Sequence, residues 1–96
     1  MTTPEVDIEQ VQELIVEECR EIEKLLLGKN ERYGNSALDP VRIFSDADRT
    51  EQLDVRIDDK LSRIERGQGY DEEEVEQDLI GYLVLKRVAR RLGEER

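Results

Sequence analysis

Two acidic side chains lie on helix faces that the sequence otherwise fills with apolar residues. Asp78 falls in the most apolar segment of the chain and, at about 100° per residue, shares a helix face with Tyr82 and Leu85. Glu18 interrupts the apolar stripe of an earlier helix. Burying a carboxylate is costly unless it is ion-paired, hydrogen-bonded or bound to a metal. The two positions therefore predict either structural salt bridges or a metal or ligand site. The candidate ion-pair partners of Asp78 are Lys60, Arg56 and Arg63.

Two further acids can join these carboxylates around one cation. Glu21 lies three residues after Glu18, and Glu74 lies one turn before Asp78, where Gly81 leaves room for a ligand or a neighbouring backbone. An all-oxygen set of this kind suits Mg²⁺ or Mn²⁺, whereas a chain with no histidine and one cysteine offers no zinc site. The alternative is that Glu18 forms a partly buried salt bridge and that Glu21 is solvated.

The helix between these two carries acidic and basic residues on opposite sides of its apolar stripe. The acidic side holds Asp54, Asp58 and Glu65, and the basic side holds Arg56, Lys60 and Arg63. A polyphosphate site requires such a basic row beside acidic residues, because metal ions bridge phosphate oxygens to carboxylates while arginine and lysine hold the remaining negative charge. Local ion pairs such as Asp59 with Arg63 are the ordinary alternative.

Three amphipathic helices position these residues. The first is predicted from Val6 to Lys29, with Gly28 as its stop, and the second from near Asp48 to Gly67. The third starts at Asp71 and continues to about Leu92. Each of the last two starts has an acidic residue three positions after the aspartate, which is the spacing of a capping box. Residues 1–96 therefore form a single all-α domain.

A polar segment of twenty residues, from Lys29 to Asp48, separates the first two helices. It contains a turn-like cluster at residues 33–36 and an Asp-Pro step that disfavours helix. A connection of this length without periodicity is usually functional or disordered. We expect an ordered, functional loop, because three apolar residues can anchor it to the core. These are Val41, Ile43 and Phe44.

The third helix is apolar on every side at its centre, residues 79–85. Such a helix must be covered on every side, and two other helices cannot cover it alone. Hydrophobic residues make up only 36% of the chain and charged residues 42%, which favours a core completed by association. The sequence therefore predicts a helical bundle completed by self-association into a dimer or tetramer.

The charge and residue types exclude several classes of protein. A net charge of −10 argues against direct binding to a nucleic-acid backbone or a membrane surface. The chain has no histidine for a catalytic triad, no phosphate-binding or dinucleotide-binding glycine motif, and no CxxC pair. A lone cysteine, no long apolar run and no signal-peptide pattern predict a cytoplasmic protein.

Three segments, in order, resemble the nucleotide modification associated domain 1 family, which is common in phages: KNERYGNSALDPVRIFS, VRIDDKLSRI and EVEQDLIGYLVL. The similarity covers most of the chain, from about residue 18 to residue 89. In outline the chain also resembles the wider MazG-like group of all-α NTP pyrophosphatases. Their pattern is EExxE on one helix and ExxD on a later one.

The match to this second pattern is incomplete. Glu18 and Glu21, with the preceding glutamate, fit EExxE. In the second half, Val75 stands three residues before Asp78 where the pattern has an acid, and the nearest acid is Glu74. Alternatively, the second helix supplies the first half of the pattern, through Asp58 or Asp59.

The resemblance implies Mg²⁺-dependent or Mn²⁺-dependent cleavage of a (deoxy)nucleoside triphosphate to monophosphate and pyrophosphate. It would take place in the cytoplasm, or the host cytoplasm for a phage-encoded protein. The implied catalytic residues are Glu18 and Asp78, and the implied metal ligands are Glu18, Glu21, Asp58, Glu74 and Asp78. The candidates for binding the nucleotide or another phosphate ligand are Lys29, Tyr33, Asn35, Arg56, Lys60 and Arg63. Two alternatives stay open: a non-catalytic nucleotide-binding accessory protein in DNA modification, and a structural helical oligomerisation module.

Overall fold

The computed structural model of the protein describes residues 5–38, 47–67 and 71–94. The helices are α1 (Ile8–Tyr33), α2 (Arg49–Arg66) and α3 (Glu72–Glu94). No strand occurs within these ranges, and the predicted all-α fold with three main helices is confirmed. None of the described helices combines the length and the apolar character that crossing a bilayer requires.

The predicted starts of the second and third helices are confirmed by their N-caps. The Asp48 carboxylate accepts a hydrogen bond from the Glu51 backbone N–H at 2.8 Å, and the Asp71 carboxylate accepts one from the Glu74 N–H at 3.1 Å. Each bond satisfies a backbone donor that the first turn of a helix leaves without an intrahelical partner. The α2 helix ends as predicted at Gly67, whose left-handed conformation (φ 65°) strongly favours glycine.

The end of α1 differs from the prediction. The helix continues through Gly28 and Lys29 to Tyr33, because a glycine inside a long helix costs only about 1 kcal/mol relative to alanine and does not by itself end it. The stop is Gly34, whose φ of 64° and ψ of −147° are open essentially to glycine alone. The Asn30 side-chain amide closes this end by donating to the Gly34 carbonyl at 3.2 Å.

A small core joins α2, α3 and the turn that follows α1. Leu53 is fully buried and clusters with Leu38 from the turn and Ala89 from α3. The Arg49 side chain also donates a hydrogen bond to the Leu38 carbonyl at 3.2 Å. Leu38 therefore fixes residues 34–38 against the other two helices. The predicted loop anchors Val41, Ile43 and Phe44 lie outside the described residues.

The α1 helix runs antiparallel to α3 and meets it at Gly81. A methyl group added to Gly81 would lie 3.1 Å from the Leu26 side chain, so the missing Cβ lets the two helices approach. The first half of α1 has no such neighbour, since residues 8–21 are all exposed. The molecule is correspondingly elongated. Its principal extents are 56 × 35 × 24 Å, and its radius of gyration is 16.7 Å. A compact chain of this length would have a radius of gyration of about 12.5 Å.

Two matched glycine substitutions test the contact between α1 and α3. Gly81→Met is expected to lower the free energy of unfolding by about 1–3 kcal/mol, because the new side chain must displace Leu26. Gly28→Met should raise it by up to about 1 kcal/mol, since Gly28 is helical with open space around it. Urea denaturation followed by circular dichroism measures both. Effects of the same sign would contradict the close approach at Gly81.

Candidate functional site

A pocket of about 370 Å³ lies where the C-terminal end of α1 meets α2, α3 and the turn at residues 34–38. It brings together four of the six predicted ligand-binding residues, and Asp78 as well. The four are Lys29, Tyr33, Asn35 and Arg56. They come from α1, the turn and α2, so only the folded chain assembles them. Gly81 also lines the pocket, but the Leu26 side chain of α1 fills the space that its missing Cβ leaves.

Asp78 is held by two lysines. Its carboxylate lies 3.1 Å from the Lys60 Nζ and 3.8 Å from the Lys29 Nζ. The Asp78 and Lys60 side chains are only 17% and 15% exposed, so this pair is largely withdrawn from solvent. The sequence predicts either a structural salt bridge or a metal or ligand role for Asp78. The structure contains the salt bridge, and its partner is Lys60. Lys60 does not line the pocket itself, and its link to the pocket is the ion pair with Asp78.

Arg56 is the most informative side chain of the pocket wall. It is half-buried, and among the described residues no carboxylate lies within ion-pair distance of its guanidinium. Removing a charge from water without a partner is unfavourable. Among the described residues, the charged side chains of the wall are Lys29, Arg56 and Asp78, and Lys60 pairs with the carboxylate. These described residues therefore give the pocket a positive local charge in a chain whose net charge is −10.

The turn that closes the pocket is organised by an asparagine that the sequence reasoning missed. The Asn30 side chain donates to the Asn35 side-chain carbonyl at 2.9 Å as well as to the Gly34 carbonyl. The Asn35 backbone carbonyl in turn accepts from the Leu38 N–H at 2.9 Å. The predicted end of α1, at Gly28 and Lys29, leaves Asn30 outside the helix. The sequence signal for its role is that it stands four residues before Gly34 in a polar stretch.

None of the other predicted acids lines the pocket. Glu18 precedes Lys29 by eleven residues of continuous helix, which is about 16 Å along the axis. Glu21 lines an adjoining depression that shares Leu25, Lys29 and Tyr33 with the pocket. Asp58 is exposed on α2, and Glu74 is exposed on the first turn of α3.

Within residues 5–38, 47–67 and 71–94, no three acidic or cysteine side chains lie close enough to hold a metal ion. One chain therefore does not assemble the expected Mg²⁺ set from these residues, and their metal role stays a prediction. Arg63, the remaining predicted ligand-binding residue, lies outside the pocket wall and pairs with Asp59 at 3.4 Å, the local helix pair that the sequence offered as an alternative.

Comparison with protein-family models, with curated proteins and with solved structures finds no match to this chain. The resemblance to the nucleotide modification associated domain 1 family and to MazG-like enzymes therefore rests on the sequence segments alone. The activity that it implies stays a prediction.

Proposed function

We propose that the chain binds a nucleotide, through its phosphate groups, in the pocket between α1, α2 and α3. The main support for this proposal is the environment of Arg56. Its guanidinium is half-buried in the pocket wall and has no carboxylate partner among the described residues. A guanidinium presents a planar fork of N–H donors that matches two phosphate oxygens. A phosphate would supply the negative charge that none of the described residues places beside Arg56.

The remainder of the pocket supports a nucleotide rather than a bare anion. Lys29 adds a second cation, and its 55% exposed side chain can move onto a phosphate without being desolvated. Asn30 and Asn35 line the wall with side-chain amides, which can donate to and accept from a sugar or base. Tyr33 and Tyr82 supply aromatic rings, on which a base can stack. A volume of about 370 Å³ falls in the range of about 300–1,000 Å³ typical of small-molecule sites.

The proposal is for binding, and it contains no cleavage step. The one carboxylate among the described pocket-lining residues is Asp78, and Lys60 already holds it at 3.1 Å. Pyrophosphate release from a nucleoside triphosphate is what the MazG-like resemblance implies, and the same experiment can look for it. A protein that binds without turnover matches the accessory role in DNA modification.

Thermal melting and calorimetric titration test the proposal. The ligands are the four dNTPs, the matching monophosphates, pyrophosphate and inorganic phosphate, each with and without Mg²⁺. A nucleotide at one hundred times its Kd should stabilise the folded chain by about 2.7 kcal/mol. Pyrophosphate is quantified in the same mixtures to separate binding from cleavage. If no phosphate compound shifts the melting midpoint, the proposal fails and the structural helical module becomes the better explanation.

A matched pair of arginine substitutions on α2 locates the binding. Arg56→Gln should weaken nucleotide affinity about tenfold or more, because a hydrogen bond to a charged group contributes about 1.5–3 kcal/mol. Arg66→Gln removes an equal charge from the exposed last turn of the same helix and should leave affinity nearly unchanged. Equal losses in the two variants would mean that the nucleotide responds to overall charge and not to this pocket.

A further inference from the structure

A second concave surface, which we call the apolar groove, lies between α1 and α3. Its volume is about 730 Å³, and its apolar walls come from Ile22 and Leu26 on α1 and from Ile80, Val84 and Val88 on α3. Ile80 and Val84 are 46% and 38% exposed, although they belong to the centre of the most apolar helix. One side of α3 therefore remains uncovered, as the sequence led us to expect of three helices alone.

The apolar stripe of α1 continues out of the groove along the exposed half of that helix. Ile8 and Ile15 are 73% and 55% exposed, and every residue from 8 to 21 is exposed to solvent. An isolated helix of this length is marginal in water, since most helical stability comes from packing of the apolar face. Packing against another surface would therefore stabilise the exposed half of α1. The groove offers an apolar surface on which a helix can pack.

The exposed area is large enough for a stable interface. The accessible surface is 8409 Å², whereas a compact monomer of this mass exposes roughly 5,700 Å². The excess is well above the roughly 800 Å² that each partner contributes to a typical stable complex. A small ligand in the groove would cover only a fraction of this excess, whereas a partner of protein size could cover much of it.

The charges on these two surfaces are complementary to each other. Glu18 lies in the apolar stripe of α1 and also lines the groove. Arg87 and Arg91 do not line it but lie within about 20° of Ile80 around the α3 helical wheel. In the part of the chain that the structure describes, none of the three forms an ion pair. In a twofold pair of identical chains, the acid of each copy can meet an arginine of the other. An anionic membrane surface would instead be repelled by a chain of net charge −10.

We propose that the partner is a second copy of this chain, with α1 of each copy lying in the apolar groove of the other about a twofold axis. The resulting interface covers the exposed stripe of α1 and the uncovered side of α3 in one step. It also pairs Glu18 with Arg87 or Arg91 of the opposite copy.

The mass of the full chain in solution tests this proposal. Sedimentation at micromolar concentration should give twice the 11.2 kDa mass of one chain. Ile15→Glu should reduce the mass to that of one chain, because the new charge would enter the covered stripe. Val55→Glu is the matched control on α2: Val55 is 65% exposed and lies outside the groove, so this variant should keep the mass of two chains. A single-chain mass for the unaltered protein, or a two-chain mass for Ile15→Glu, would overturn the proposal.

Charge reversal tests the pairing between copies. Glu18→Arg and Arg91→Glu should each weaken association at least tenfold, since each places like charges together. The chain carrying both changes should recover most of this loss, because the pair is restored with its signs exchanged. Circular dichroism of each variant verifies that the helices are retained. A double variant that associates no more tightly than either single variant would overturn this arrangement of the two copies.

Discussion

Replacing Leu53 with alanine is expected to lower the free energy of unfolding by about 3 kcal/mol, within the usual 2–5 kcal/mol for a buried leucine. Leu53 is the one large side chain among the described residues with no exposed surface, and it packs beside Leu38 and Ala89 at the centre of the core. Domains of this size are stable by only about 5–15 kcal/mol, so the loss is a substantial share of the total. The melting midpoint should fall by about 12–24 °C.

Leu61→Ala on the same helix is the control for this experiment. Leu61 is 50% exposed, so truncating it should cost less than about 1 kcal/mol. Urea denaturation at one fixed protein concentration measures both variants, because a self-associating chain melts at a concentration-dependent temperature. Similar losses at the two leucines would mean that Leu53 is not at the centre of the core.

Breaking the pair between Asp78 and Lys60 should have the second largest effect. Asp78→Asn should cost about 2 kcal/mol, because it leaves Lys60 charged and largely withdrawn from solvent. Lys60→Met should cost somewhat less, because the Lys29 Nζ stays 3.8 Å from the Asp78 carboxylate. The combined variant should cost less than the sum of the two, by about 1–2 kcal/mol, since it leaves no charge behind. A double-mutant cycle from urea denaturation gives this coupling energy.

A shorter but more exposed ion pair is the control for the cycle. The Lys86 Nζ lies 2.7 Å from the Asp54 carboxylate, but these side chains are 26% and 48% exposed. Solvent screens such a pair, so its coupling energy should be below about 1 kcal/mol despite the shorter distance. Equal coupling in the two pairs would show that burial does not strengthen the interaction of Asp78 with Lys60.

The sequence was most informative where local chemistry decides the structure. The aspartates at positions 48 and 71 cap their helices as expected, because a side-chain acceptor beside the first backbone donors acts over only a few residues. The position of Asp78 among the apolar residues of α3 also follows from helical periodicity alone. The end of α1 was misplaced because Gly28 is compatible with a helix, whereas the φ and ψ of Gly34 are not.

The site was partly predictable for a related reason. Residue type and face were enough to select Lys29 and Arg56, which both line the pocket. A helical wheel gives the angle of a residue around its own axis, but it contains no information about how far two helices slide past each other. The sequence analysis places Glu18 and Asp78 in one candidate site because each lies on the apolar face of its own helical wheel. The antiparallel register that places Leu26 against Gly81 separates them along the axis of α1.

The pocket and the apolar groove share a wall. Five residues line both: Leu26, Asn30, Asn35, Leu38 and Leu85. Two sites with common side chains are thermodynamically linked. If dimerisation changes the ligand's affinity by some factor, ligand binding must change the dimerisation constant by the same factor, because binding and dimerisation form a closed thermodynamic cycle. Nucleotide affinity measured against protein concentration would therefore report on the contact between two chains without detecting the dimer itself.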